Sequence, residues 1–126
     1  MNNTPLVDGT VELVLSPAKS GAYLSKPDIS GLATMVGFSI ILQERKKMLE
    51  EMFRFLRSKE ELLRAYEGLS TFYESKMSDY ESIFGFFPSS EPVLRENYQK
   101  CIATIKKIEE FKEEVELLEF VKPEDL

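Results

Sequence analysis

The chain has 126 residues, of which 43% are hydrophobic and 30% charged, with a net charge of −6 and no histidine. That balance belongs to a folded chain with room for one core and little more, and it argues against wholesale disorder. The negative charge repels phosphate, which disfavours nonspecific nucleic-acid binding, and the missing imidazole removes the usual general base and the commonest metal ligand together.

Residues 1–27 carry Pro5, Gly9, Pro17, Gly21 and Pro27, spaced so that no long helix fits between them. They are read as an extended N-terminal arm. Within it Thr10–Leu15, TVELVL, alternates loosely and is rich in branched residues, the pattern of one short strand. A lone strand must pair or pack to be stable.

A helix is expected to start near Pro27-Asp28, with Asp28 or Ser30 as its cap. From there Leu42, Leu49, Leu56, Leu63, Ser70, Met77 and Phe84 recur every seven residues. Phe38, Met52, Tyr66, Tyr73 and Tyr80 form a second column, and Ile41, Met48, Phe55, Leu62, Leu69 and Ile83 widen the stripe. Arg45 and Lys59 interrupt the second column. They argue against a two-stranded zipper and for a bundle in which each helix meets two neighbours. Ser58 with Glu61, and Thr71 with Glu74, have capping-box spacing, and Gly68 weakens a helix interior by about 1 kcal/mol. The stripe keeps its phase across all of them, so one long helix over 28–84 is favoured.

GFFPSSEP, residues 85–92, is the clear punctuation: Gly85 can end a helix, Pro88 cannot continue it, and Ser89 or Ser90 can cap the next. The last helix runs over 91–120 with Leu94, Tyr98, Cys101, Ile102, Ile105, Ile108, Phe111, Val115 and Leu118 on its apolar face, and residues 121–126 form a loose tail. The fold class is therefore all-α: a long, coiled-coil-like antiparallel hairpin over 28–120, or a three-helix bundle if the long helix breaks near Ser58 or Gly68.

The run LATMVGFSIIL, residues 32–42, is too short for a membrane span, which takes ~20 apolar residues. It lies too far from the start for a signal sequence, and the polar residues before it contain no Lys or Arg. At ~1.5 Å per residue a helix over 28–84 is about 85 Å long and one over 91–120 about 45 Å. The hairpin thus runs out of second helix before it reaches the run. Leu32, Met35, Val36, Phe38, Ile41 and Leu42 are the predicted partner-binding residues on that ground.

No residue set points to catalysis. Cys101 is the only thiol, which favours a reducing, cytoplasmic setting; it lies on an apolar stripe with no histidine to activate it, and reads as a core residue. The carboxylate pairs at Glu50-Glu51, Glu60-Glu61, Glu109-Glu110 and Glu113-Glu114 are adjacent on helices and diverge by roughly 100°. Gly31 and Gly37 lie outside any phosphate-binding pattern, and the tyrosine column Tyr66, Tyr73, Tyr80 runs beside Glu67, Glu74 and Glu81 and reads as core or interface. The expected function is a non-enzymatic helical interaction protein with no cofactor or metal, an adaptor or structural subunit of a homo- or hetero-oligomer. The alternative is a small acidic chaperone of the secretion or export type, by analogy of composition. Residues 88–100, PSSEPVLRENYQK, resemble the turn of type III secretion needle subunits over about a tenth of the chain, with one inserted residue and an acidic tail that departs from that family.

Overall fold

Three prolines that exclude long helices instead mark the starts of short ones. The computed structural model describes residues 4–117, and over them the chain is all-α: α1 (Thr4–Leu15), α2 (Pro17–Ser20), α3 (Lys26–Met35), α4 (Arg45–Phe55), α5 (Lys59–Phe86) and α6 (Glu91–Leu117). Pro5, Pro17 and Pro27 each sit in the first turn of a helix, where their missing N–H would have had no partner anyway. The segment expected to be an extended arm, with a strand at Thr10–Leu15, is thus helical. Its buried residues Leu6, Val7, Thr10, Val11 and Val14 follow a helical spacing. Packing of that face overrides the β preference of its branched side chains.

The expected long helix over 28–84 is likewise three helices. α3 starts at Lys26, one or two residues early, and its cap is Ser25 rather than Asp28 or Ser30, in a capping box: the Ser25 hydroxyl accepts from the Asp28 N–H at 3.2 Å, and the Asp28 carboxylate accepts from the Ser25 N–H at 2.9 Å. It ends at Gly37, whose φ of +96° is a left-handed conformation suited to glycine. There the Gly37 and Phe38 amides fold back onto the carbonyls of Thr34 and Ala33, closing a Schellman motif. Residues 38–44 are not helical. A second break follows α4 at Leu56–Ser58, where the Ser58 hydroxyl caps α5 by accepting from the Glu61 N–H at 3.1 Å, and the Glu61 carboxylate accepts from the Arg57 N–H at 2.6 Å.

The antiparallel hairpin is as expected. α5 and α6 pack along one another and the chain reverses at Phe87–Ser90, through a short 3₁₀ turn at Pro88–Ser90. Gly85 lies inside α5 and does not end it. Only the half of the hairpin away from the turn is buried: Leu62, Ala65, Tyr66, Leu69 and Tyr73 of α5, and Cys101, Thr104, Ile108, Phe111 and Val115 of α6. α1 to α4 wrap this base and add Leu24, Ile29, Met48, Leu49, Met52, Phe53 and Leu56 to the core. Beyond Tyr73 and before Cys101 no described residue of α5 or α6 is fully buried, so the turn end stands clear of the bundle.

Two glycines set how closely the layers approach. A Cβ on Gly68 would strike the Met35 and Leu32 side chains, so α3 crosses α5 where α5 has no side chain. Gly68 is therefore a contact surface, not a weak point. Gly21, with φ +92°, lies against the α6 backbone, where an added Cβ would overlap the Asn97 carbonyl oxygen and come within 2.7 Å of the Cys101 amide nitrogen. The expected tail at 121–126, and the end of the last helix at 118–120, lie outside the described residues.

Candidate functional site

The six residues singled out from the apolar run divide into two sets. Leu32 and Val36 are buried within the chain's own core, on the inner face of α3 and its cap. The other four reach the surface to different degrees. Met35 is 48% exposed at the end of α3, Ile41 is 74% and Leu42 69% exposed, and Phe38 is half-buried. Phe38 packs on Phe55 of α4 with ring centroids 5.9 Å apart, and the Arg57 guanidinium lies 5.1 Å from the Phe38 centroid. Phe55 is itself exposed and belongs to the same ridge. The geometric argument for these residues is corrected: no long bare helix is left over, because the chain breaks at Gly37 and folds α3 and α1 onto the base. An apolar ridge is still left at the surface, in the non-helical segment.

That segment runs beside α4. Gln43 Nε2 donates to Glu51 Oε2 at 2.6 Å, while Phe38 at the other end meets Phe55. Residues 39–43 make no backbone–backbone hydrogen bond with any described residue; before them the Phe38 amide pairs with the Ala33 carbonyl, and after them the Glu44 carbonyl accepts from the Met48 amide. Over 35–57 the chain holds five basic residues against three acidic, a local balance of +2 within a chain of −6. Arg45 is structural: it donates to the carbonyls of Leu24 and Leu15, both at 3.0 Å, and stacks 4.3 Å from the Tyr23 centroid. Arg57 pairs with Glu61 at 2.8 Å. Lys46, Lys47 and Arg54 have no ion pair among the described residues.

The interior holds polar groups that serve packing. The hydroxyls of Thr10 and Tyr66 lie 2.7 Å apart, Thr10 also donates to the Leu6 carbonyl at 2.9 Å, and Thr104 donates to the Ser20 carbonyl at 3.0 Å. Tyr73 has a buried hydroxyl with no hydrogen-bond partner among the described residues. The nearby Ser20 hydroxyl favours its ionised form slightly, yet donates elsewhere, to the Ala22 carbonyl at 3.0 Å. Cys101 is fully buried against Gly21, and burial pushes its thiol up to about 11. A thiol so shielded supplies almost no thiolate at neutral pH. Among the described residues no group of three or more His, Cys, Asp or Glu is placed to hold a metal, and no helix is long and apolar enough to cross a membrane.

A second apolar surface, absent from the sequence reading, caps the hairpin: Phe86 is 81% and Phe87 67% exposed, with Val93 beside them. The signal was present as consecutive aromatic residues before Pro88. Phe55 was also missed as a surface residue, because the heptad placed it on a buried stripe. Comparison of the chain with protein-family models, curated proteins and solved structures gives no match.

Proposed function

We propose that the chain is a non-enzymatic interaction protein, an adaptor or structural subunit that docks a protein partner on the ridge Met35, Phe38, Ile41, Leu42 and Phe55. The single observation that carries this is the exposure of Ile41 and Leu42 side by side, 74% and 69%, next to the exposed Met35 and Phe55 and the half-buried Phe38. Covering one large apolar side chain contributes ~1.5–3 kcal/mol, so a ridge of this kind anchors a partner once polar flanks set its orientation. The lone buried thiol supports a reducing, cytoplasmic setting.

The structure improves the choice of variant. Phe38 supports Phe55, so its loss would disturb the fold, whereas the Ile41 and Leu42 side chains are mostly in solvent. In an extract of the source cell the wild-type chain should elute in an assembly well above its own 14.5 kDa. The Ile41→Asp, Leu42→Asp double variant should elute as the free chain, with unchanged helix content and melting temperature. A wild-type chain that elutes alone, or a double variant that stays in the assembly, overturns the reading.

A further inference from the structure

Resting on that reading, we propose that the partner on the ridge is a second copy of this chain. Two copies lie antiparallel along one face of α5, and the Phe86–Phe87 tip of each covers the Met35, Ile41, Leu42 and Phe55 ridge of the other.

The first observation is where the two apolar surfaces sit. α3 crosses α5 at Gly68, where an added Cβ would strike the Met35 side chain. Phe86 follows Gly68 by 18 residues, which is five full turns of α-helix. It therefore lies on the same face of α5 as Met35, about 27 Å further along. α6 packs on a different face: Tyr66, Tyr80 and Phe84, which meet aromatic residues of α6, are turned roughly 120–160° away from Gly68. Beyond α3 the Gly68 face is left open. Ser75, Asp79, Ile83 and Phe86 follow one another along it, and all four are exposed.

That placement lets the contact close on itself. A two-fold axis midway between Gly68 and Phe86 sets the tip of each copy on the ridge of the other, so the two contacts are one contact made twice. Asp79 of one copy then faces Ser75 of the other, not its own equivalent.

The second observation is area. At ~200 Å² per aromatic side chain, Phe86 and Phe87, 81% and 67% exposed, with Val93 beside them, offer roughly 400 Å². The exposed parts of Met35, Ile41, Leu42 and Phe55 offer about the same. A stable complex covers about 800 Å² on each partner. A tip on a tip, or a ridge on a ridge, covers only half of that. The antiparallel pair uses both patches of both copies and reaches it.

The third is charge. The turn half, residues 74–100, holds five acidic and three basic residues, a balance of −2. The ridge side, counted over 35–61 to include the Glu61 that takes up Arg57, holds six basic and five acidic, a balance of +1. Two tips, or two ridges, would bring like charge together, whereas a tip on a ridge sets unlike charge opposite.

The test is made on the purified full-length chain by sedimentation equilibrium. The mass should double from 14.5 kDa as concentration rises. The doubling should be complete by about 100 µM, since interfaces of this size hold at micromolar concentrations or below. Each copy keeps its own core, so the pair parts on dilution without unfolding, and in dilute solution variants at either patch are as stable as the wild type. Ile41→Asp with Leu42→Asp, and separately Phe86→Ser with Phe87→Ser, should each weaken association at least tenfold. Mixed in equal amounts, the two variants should associate at least tenfold more tightly than either does alone, because their heterodimer keeps one intact tip on one intact ridge. A wild-type chain that stays single at that concentration, growth beyond two copies, or two variants that gain nothing on mixing overturns the proposal. Undiminished association of either variant also overturns it, because like patches are then in contact. If the purified chain stays single while the assembly in the extract still needs Ile41 and Leu42, the second copy is ruled out and the broader reading stands. An extract assembly indifferent to the Asp pair removes the broader reading instead, so the two failures are distinguishable.

Discussion

The two halves of the hairpin are the same two helices with different support. In the base, α5 and α6 are covered by four more helices, and Tyr66, Leu69, Tyr73, Cys101 and Ile108 are all fully buried. Near the turn they meet mostly each other, through aromatic contacts close to the surface. Tyr80 and Phe84 stack at 6.4 Å, Tyr98 meets Phe84 edge-on at 5.7 Å, and the Tyr98 hydroxyl donates to the Glu81 carboxylate at 2.6 Å. The Tyr80 hydroxyl reaches back to the Gly21 carbonyl at 2.9 Å and is the last tie to the bundle. Helix continuity therefore says nothing about where stability lies. That is set by what covers each turn of helix.

The largest effect is expected at the centre of the base. Tyr66 packs tilted against Phe53 and Phe111, with ring centroids 5.8 Å and 5.9 Å away, and bonds Thr10, so it joins α1, α4, α5 and α6. Tyr66→Ala should cost about 3–5 kcal/mol, measured by urea denaturation. A loss under 1 kcal/mol would mean that the base is no drier than the tip.

A smaller effect, of opposite sign at neutral pH, is expected one helical repeat away. The buried Tyr73 hydroxyl has no hydrogen-bond partner among the described residues, so Tyr73→Phe should leave stability unchanged or raise it by about 1 kcal/mol. Burial pushes this hydroxyl up to about 12, against about 10 in an unfolded chain. Between those values the unfolded chain has given up a proton that the native chain keeps. The stability this represents is intact below about pH 10 and is lost as pH rises to 12. Cys101, raised to about 11, acts in the same direction from about pH 9. Denaturation curves at pH 7 and pH 11 should show the wild type weakening more than Tyr73→Phe. A marked loss in the variant at pH 7 would show that the hydroxyl is bonded.

The base and tip also differ in how far the residues alone disclose them. The hairpin and its turn were legible because Pro88 cannot continue α5 and the serines after it can cap the next helix, although on α6 Ile102, read onto the apolar face, is exposed and Thr104 is buried in that face instead. The long helix was misread because Leu42, Leu49, Leu56 and Leu63 keep a seven-residue interval through two breaks. Leu49 and Leu56 are buried, and Leu42 lies in the open segment. A regular interval is thus compatible with helix ends when each new helix re-enters the same core. The signals that should have won were local: Gly37 in the left-handed position after α3, and Ser58 with Glu61 before α5. In α1 the branched residues suggested a strand, but Leu6, Val7, Thr10, Val11 and Val14 already had helical spacing. Of the predicted ridge, Leu32 and Val36 were lost to the core because the break at Gly37 lets α3 fold back, which no periodicity could show. Ile41 and Leu42 remained at the surface, for a different reason from the one that singled them out.

The smallest effect is expected at the turn. Phe86 and Phe87 are as apolar as any core residue, yet most of each ring is in solvent. Surface substitutions away from caps and cores usually stay within about 0.5 kcal/mol. The backbone bonds that close the turn, Phe87 N–H to the Ile83 carbonyl at 2.7 Å and Ser90 N–H to the Phe87 carbonyl at 2.9 Å, do not depend on either ring. Phe86→Ser with Phe87→Ser should therefore leave the urea midpoint unchanged in dilute solution and raise solubility, because an exposed aromatic pair is removed. If the pair instead costs more than 1 kcal/mol, the rings are covered in solution, and the tip is not the bare end that its contacts within the chain imply.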